Sequence, residues 1–214
     1  MNVMVIAPHP DDEAIGCGGT ICLHVGRGDR VAVVFLTSGE LGLKHLPQEQ
    51  ARQVREREAE AAADVLGVAA VTFLRQADWY IHDEVDQAAA ALTPVLGRAA
   101  PQIVYLPHPR EWHPDHRAAL FVVRAALAGA DIPVPVLLTY EVWTPLAEYD
   151  RVEDITPVMM RKLRAIRCYR SQLEGFRYDR AARGLGQYRG ALAGRCRYAE
   201  VFQPIDPAPL PSPP

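Results

Sequence analysis

Apolar residues along this chain fall into short, nearly unbroken runs separated by longer stretches of helical spacing. Residues 3–7 (VMVIA), 30–37 (RVAVVFLT), 70–74, 102–106 (QIVYL) and 134–140 read as strands. They show little polar alternation, which is the pattern of strands buried on both faces of a sheet. Between them, residues 14–26 carry Ile15, Ile21, Leu23 and Val25 at helical spacing. Residues 49–66 are rich in Ala, Glu and Arg, strong helix formers, and Gly67 stops that helix. Residues 86–98, 115–128 and 156–168 also read as helices, and 38–48 as a glycine-containing loop holding His45. Strands alternating with helices predict an α/β fold with a mostly parallel sheet and helices on both faces. Residues 1–203 are expected to form a single domain and the proline-rich residues 204–214 an extended tail.

Composition narrows the function classes. A chain of 214 residues is of the size that α/β folds reach as one unit. Its 23 basic and 26 acidic residues leave a formal charge of −3, so no long-range attraction to nucleic acid or an acidic membrane is expected. No apolar stretch reaches the ~18 residues of a membrane span, and the acidic motif by residue 11 is unlike a secretory leader. Cys17, Cys22, Cys168 and Cys196 show no CxxC spacing and read as free thiols of a cytoplasmic protein.

The candidate chemistry lies in two clusters. Pro8-His9-Pro10-Asp11-Asp12-Glu13 follows the first strand directly; His113-Pro114-Asp115-His116 follows the fourth by seven to ten residues. Unpaired buried charge is costly, but His nitrogen and Asp oxygen are both zinc ligands. In a Rossmann-like, doubly wound sheet, ligands bind beyond the carboxyl ends of the strands where strand order reverses. The first and fourth strands are neighbours there, so the clusters are predicted to face each other. His9, one carboxylate of the first cluster and a histidine of the second form a natural metal set. A second carboxylate is then left to take a proton from water, and a second imidazole to act on the reacting group.

These residues resemble the PIG-L/LmbE-like deacetylases, zinc enzymes that remove acetyl from N-acetylglucosamine units. The resemblance extends through Ile15–Thr20, Thr37-Ser38-Gly39-Glu40, Arg55–Glu58 with the following Leu66-Gly67-Val68, Ser171-Gln172 and Tyr198–Phe202. It implies His9, Asp12 and His116 as zinc ligands, with Fe²⁺ or Co²⁺ as substitutes. It implies Asp11 as general base, His113 as the second imidazole and Asp115 as that histidine's partner. Arg55, with Arg52 and Arg57 competing for the role, and Asp78 match substrate-binding positions. The partner implied is a small N-acetylated amino sugar or glycoconjugate, with a homo-oligomer left open.

Other conspicuous residues have plainer readings. Glu13 is expected to pair with a helix or cap one, His24 to pack or face solvent, and His45 and His82 to lie in solvent. His108 is evenly balanced between site and scaffold. Trp79, Tyr80 and Trp112 suit either a sugar face or lid packing. A non-catalytic nucleotide- or sugar-binding domain is the alternative, with Gly16–Gly19 admitting a phosphate.

Overall fold

The computed structural model describes residues 1–207. Its strands are β1 (Asn2–Ala7), β2 (Arg30–Thr37), β3 (Ala70–Gln76), β4 (Ile103–Pro107), β5 (Val136–Tyr140), β6 (Arg151–Asp154) and β7 (Ala199–Ile205). The helices are α1 (Asp12–Gly26), α2 (Gln48–Leu66), α3 (Val85–Ala99), α4 (Pro114–Ala128), α5 (Met159–Ile166), α6 (Arg170–Leu173) and α7 (Tyr178–Arg189). The strands form one sheet in the order β3-β2-β1-β4-β5-β7-β6. The first five are parallel, and β7 and β6 add to the edge in antiparallel pairs.

Strand β1 shows why its apolar run is continuous. Val3, Val5 and Ala7 face a core formed with α1, α2 and α5, while Met4 and Ile6 face another formed with α3 and α4. Successive side chains of a strand point to opposite faces, so burial on both sides leaves no polar position. Gly67 ends α2 in the left-handed region, at φ 78°, where a Cβ would be strained.

The reversal of strand order falls between β1 and β4, which pair directly. Both clusters therefore leave the sheet at its carboxyl edge, as expected. The C-terminal part departs from the expected pattern. The helix over 156–168 is shorter, α7 and the β6–β7 pair lie where no element was expected, and β7 incorporates Pro204 and Ile205 of the expected tail. Residues 208–214 of that tail lie outside the described residues.

Candidate functional site

The turn from β1 into α1 is held under backbone strain. Asp11, the N-cap of α1, has φ 123°, a region that side-chain-bearing residues rarely adopt. Glu13 props it there: its Oε2 accepts from the Asp11 N–H at 3.2 Å and its Oε1 from the Tyr169 hydroxyl at 2.6 Å. That is the expected structural role for Glu13. Burial pushes its carboxyl up to about 8. On the other side, α4 begins at Pro114 with His113 as its N-cap, the position where proline and a capping acceptor are both favoured.

Three atoms from the two clusters converge. His9 Nδ1 lies 3.3 Å from Asp12 Oδ2, His116 Nε2 lies 3.2 Å from the same oxygen, and the two nitrogens are 3.2 Å apart. Tetrahedral coordination with bonds of about 2.0–2.1 Å separates its ligand atoms by about 3.3–3.4 Å, so the spacing suits a metal. The far nitrogens support the same reading. His9 Nε2 faces Asp115 Oδ2 at 3.1 Å and Asp78 Oδ1 at 3.2 Å, which fixes the proton on Nε2 and leaves Nδ1 as a ligand. His116 Nδ1 is buried without a hydrogen bond, and the nearest carboxylate, Glu111 Oε2, is 3.7 Å away. Two further ligand-type groups, His9–His113–His116 and His9–Asp78–Asp115, have their atoms within 4.8 Å of one another. The first needs a ring nitrogen of His113, and His113 Nδ1 already accepts a backbone N–H.

The charges around this point are strongly coupled. Burial lowers His9, but the hydrogen bonds to Asp115, Asp12 and Asp78 outweigh it and raise the imidazole well above its ordinary range. Burial raises Asp12, yet His116 and His9 beside it hold its carboxyl well below that of a free carboxylate. Burial pushes Asp11 up to about 6, against the opposing Arg55 charge. Burial and the positive charge of His9 and His116 bring His113 down to about 4. A bound cation acts on His113 in the same direction, so its ring stays neutral. His113 Nδ1 accepts the Asp115 backbone N–H at 3.2 Å, which places its proton on Nε2.

Asp115 departs from its expected partnership. Its carboxylate does not reach His113. It holds His9 and accepts the backbone N–H groups of Trp79 and Ile81 at 2.7 and 3.1 Å. The physical reason is the start of α4, where the Asp115 backbone N–H caps onto His113 and its side chain turns toward the 79–81 turn. Asp78 likewise serves His9, and its Oδ2 accepts the Leu41 N–H at 2.8 Å.

Around these groups lies a cavity of about 510 Å³, lined by His9, Asp11, Asp12, Arg55, Asp78 and His113 among others. Trp79, Tyr80, Trp112 and Trp143 form its aromatic rim, on the same strand-end side as the clusters. The register of α2 is also resolved: Arg55 is buried at the cavity wall, while Arg52 pairs with Glu49 and Arg57 with a carbonyl of its own helix. Arg55 Nη2 donates to the Pro10 carbonyl at 2.5 Å, and its Nε and Nη1 have no hydrogen-bond partner. Gly39, at φ 63°, lets the 37–40 loop approach: a Cβ there would sit 3.0 Å from the Arg55 guanidinium.

The remaining candidates lie elsewhere. His24 is buried between Asp29 and Tyr105, at 2.7 and 3.0 Å, and His45 and His82 are exposed. His108 sits behind the site, its Nε2 2.7 Å from the Thr144 carbonyl. Gly16 and Gly19 do not cradle a ligand. A Cβ on Gly16 would overlap the Tyr140 ring and one on Gly19 would lie 2.6 Å from Ile155, which removes the main support for a phosphate-binding loop. The four cysteines are unpaired. Sequence reading missed Glu111. Fully buried, it accepts the backbone N–H groups of Val142, Trp143 and Thr144 at 2.8, 3.1 and 3.2 Å. Its only sequence signal is a carboxylate two residues before His113.

Fold and site together define an α/β domain with a His/Asp metal-type centre at the switch point of its sheet. The family model for GlcNAc-PI de-N-acetylase (PIG-L) matches residues 4–127. The probable N-acetyl-α-D-glucosaminyl L-malate deacetylase 2 of Bacillus cereus is 30% identical over 85% of this chain and 88% of its own length. This chain belongs to the PIG-L family, whose members are metal-dependent. Among solved structures, a conserved protein of Thermus thermophilus superposes with a TM-score of 0.84 at 30% identity, covering 98% of this chain and 97% of that one. The N,N′-diacetylchitobiose deacetylase of Pyrococcus horikoshii also gives 0.84, at 28% identity over 96% of this chain and 84% of its own. Among the described residues, no helix is long and apolar enough to cross a membrane.

Proposed function

We propose that this protein hydrolyses the N-acetyl group of an N-acetylglucosamine-containing small molecule, using a zinc ion held by His9, Asp12 and His116. The observation that carries the reading is the 3.2–3.3 Å triangle of ligand atoms, two of whose residues, His9 and Asp12, line the cavity, beside the Asp11 carboxylate, 3.5 Å from Arg55 Nη2, and one neutral imidazole. Relatives named as deacetylases of N-acetylglucosaminyl malate and diacetylchitobiose support the substrate class. Fe²⁺ or Co²⁺ suits the same N/O donors.

When bound, zinc supplies Lewis acidity toward the amide carbonyl and toward water. The rest of the chemistry falls to side chains of the chain. Asp11 accepts a proton from the attacking water at its carboxylate, and burial gives that oxygen the raised basicity the task requires. His113, neutral with its proton on Nε2, donates a hydrogen bond to the carbonyl oxygen as negative charge develops there. The C–N bond breaks and the Asp11 proton passes to the leaving nitrogen, giving acetate and a free amine. Arg55, which lines the cavity wall, is the residue assigned to sugar hydroxyls, and Asp78 orients His9 beside them. Free cysteines suit a reducing compartment such as the cytoplasm.

The test is a panel of N-acetylglucosaminides assayed for free amine with zinc-loaded protein. Stoichiometric acetate and amine are expected from at least one member. Amine release that survives complete removal of metal contradicts the proposal.

A further inference from the structure

A second cavity, of about 390 Å³, lies between α1, α7 and the segment after β5. It is separate from the His/Asp cluster but shares three side chains with the site cavity: Trp143, Phe176 and Tyr178. Their rings form a partition. Trp143 meets Phe176 and Tyr178 edge-on at 6.0 and 5.4 Å between centroids, and Phe176 stacks on Tyr178 at 5.7 Å. Phe176 remains 61% exposed and Trp143 39%, so the partition holds a broad apolar surface open toward both chambers.

The remaining wall is chiefly apolar, with Ile15, Val142, Pro145 and Leu185. Polar groups do reach it, but the buried ones are matched within the protein. Lys162 Nζ donates to Glu200 Oε1 at 2.6 Å and to the Ile15 carbonyl at 2.7 Å. Glu200 also accepts from Gly19 N–H, Thr20 N–H and Thr20 Oγ1. Glu141 is paired with Arg189 and accepts the Leu146 N–H at 2.7 Å. Arg177, at the mouth, is bound to Asp179. A second sugar ring placed here would lose its hydrogen bonds to water and find few replacements, at a cost that an alkyl or aryl group does not meet. An apolar group gains from burial in proportion to its area.

We propose that this chamber receives an apolar aglycone of the substrate, so that the preferred substrate is an N-acetylglucosaminide carrying an alkyl or aryl substituent. The acetamido group lies at Asp11 and His113, and the aglycone crosses the Trp143–Phe176–Tyr178 partition. The proposal rests on the deacetylase reading.

Its test separates the two. The methyl, butyl and hexyl glycosides of N-acetylglucosamine are titrated calorimetrically into metal-loaded Asp11→Asn protein, and their hydrolysis is followed with the wild type. Hexyl glycoside is expected to bind at least tenfold more tightly than methyl. Leu185→Trp, which fills the chamber, is expected to bring that ratio close to one. Ala181→Trp, at an exposed position on the same wall, is the second variant should Leu185→Trp not fold. A flat series, or a hexyl preference that survives the filling variant, overturns the chamber assignment whether or not any glycoside is hydrolysed. Absence of hydrolysis of every glycoside while the hexyl preference holds overturns the deacetylase reading alone.

Discussion

Replacing Glu111 separates two tasks that one carboxylate performs. It is fully buried and accepts the N–H groups of Val142, Trp143 and Thr144, while its Oε2 lies 3.7 Å from the otherwise unpartnered His116 Nδ1. Those donors and His116 hold its carboxyl below the usual range against the effect of burial. Glu111→Ala would leave three partly buried N–H groups without their carboxylate acceptor. At about 1 kcal/mol each, the low end for an orphaned buried donor, the loss is at most about 3 kcal/mol, because water can reach these half-buried groups. For a chain of this size the upper figure corresponds to a fall in Tm of about 6–12 °C. Glu111→Gln keeps one acceptor oxygen and the volume, so its fold should stay nearer the wild type. It removes the negative charge facing His116, and losing such a partner typically costs about 10–100-fold in metal affinity. The assay is zinc titration of metal-free protein against a chromophoric chelator, with thermal unfolding measured on the same metal-free samples. Unchanged zinc affinity in Glu111→Gln would refute the coupling to His116 and leave Glu111 as a tether for the 142–144 segment alone.

Asp11→Asn should retain its metal but lose about 10²–10⁴-fold in kcat, the usual contribution of a general base; loss of metal in that variant would mean the adjacent aspartates exchange roles. His113→Ala should lower kcat more than it raises KM, with metal content unchanged by elemental analysis, whereas activity within a few-fold of wild type would exclude His113 from the chemistry. Gly16→Ala should cost about 1–3 kcal/mol in chemical denaturation, because its methyl overlaps the fully buried Tyr140 ring; wild-type stability would show that α1 can shift away from β5.

The parallel half of the fold was readable because its strands are buried on both faces and its helices carry regular spacing. Apart from α5, which the helical spacing over 156–168 anticipated, the elements after β5 were not. β6 is only four residues long, with its two central side chains half-buried, so its periodicity is too short to register. Gly184 and Gly186 weaken the helical signal of α7. Pro204 obscures β7, yet its pairing partner Leu138 accommodates it at the end of the strand.

The site divides in the same way. The meeting of the two clusters was legible because residue type and strand order suffice to bring them to one edge of the sheet; the choice of Asp12 and His116 within them rests on the family resemblance. The direction in which a carboxylate points was not legible. Asp115 turns to His9 and the 79–81 backbone, and Arg55 is distinguished from Arg52 and Arg57 only by the face of α2 it occupies. Glu111 acts on backbone N–H groups some thirty residues away, a relation that no local motif encodes.

An anomalous difference map at the zinc edge, from crystals of the zinc-loaded protein, locates the metal directly. A single strong peak is expected within about 2.0–2.2 Å of His9 Nδ1, Asp12 Oδ2 and His116 Nε2. A peak held instead by His9, Asp78 and Asp115, or no peak at full zinc loading, would contradict the site proposed here.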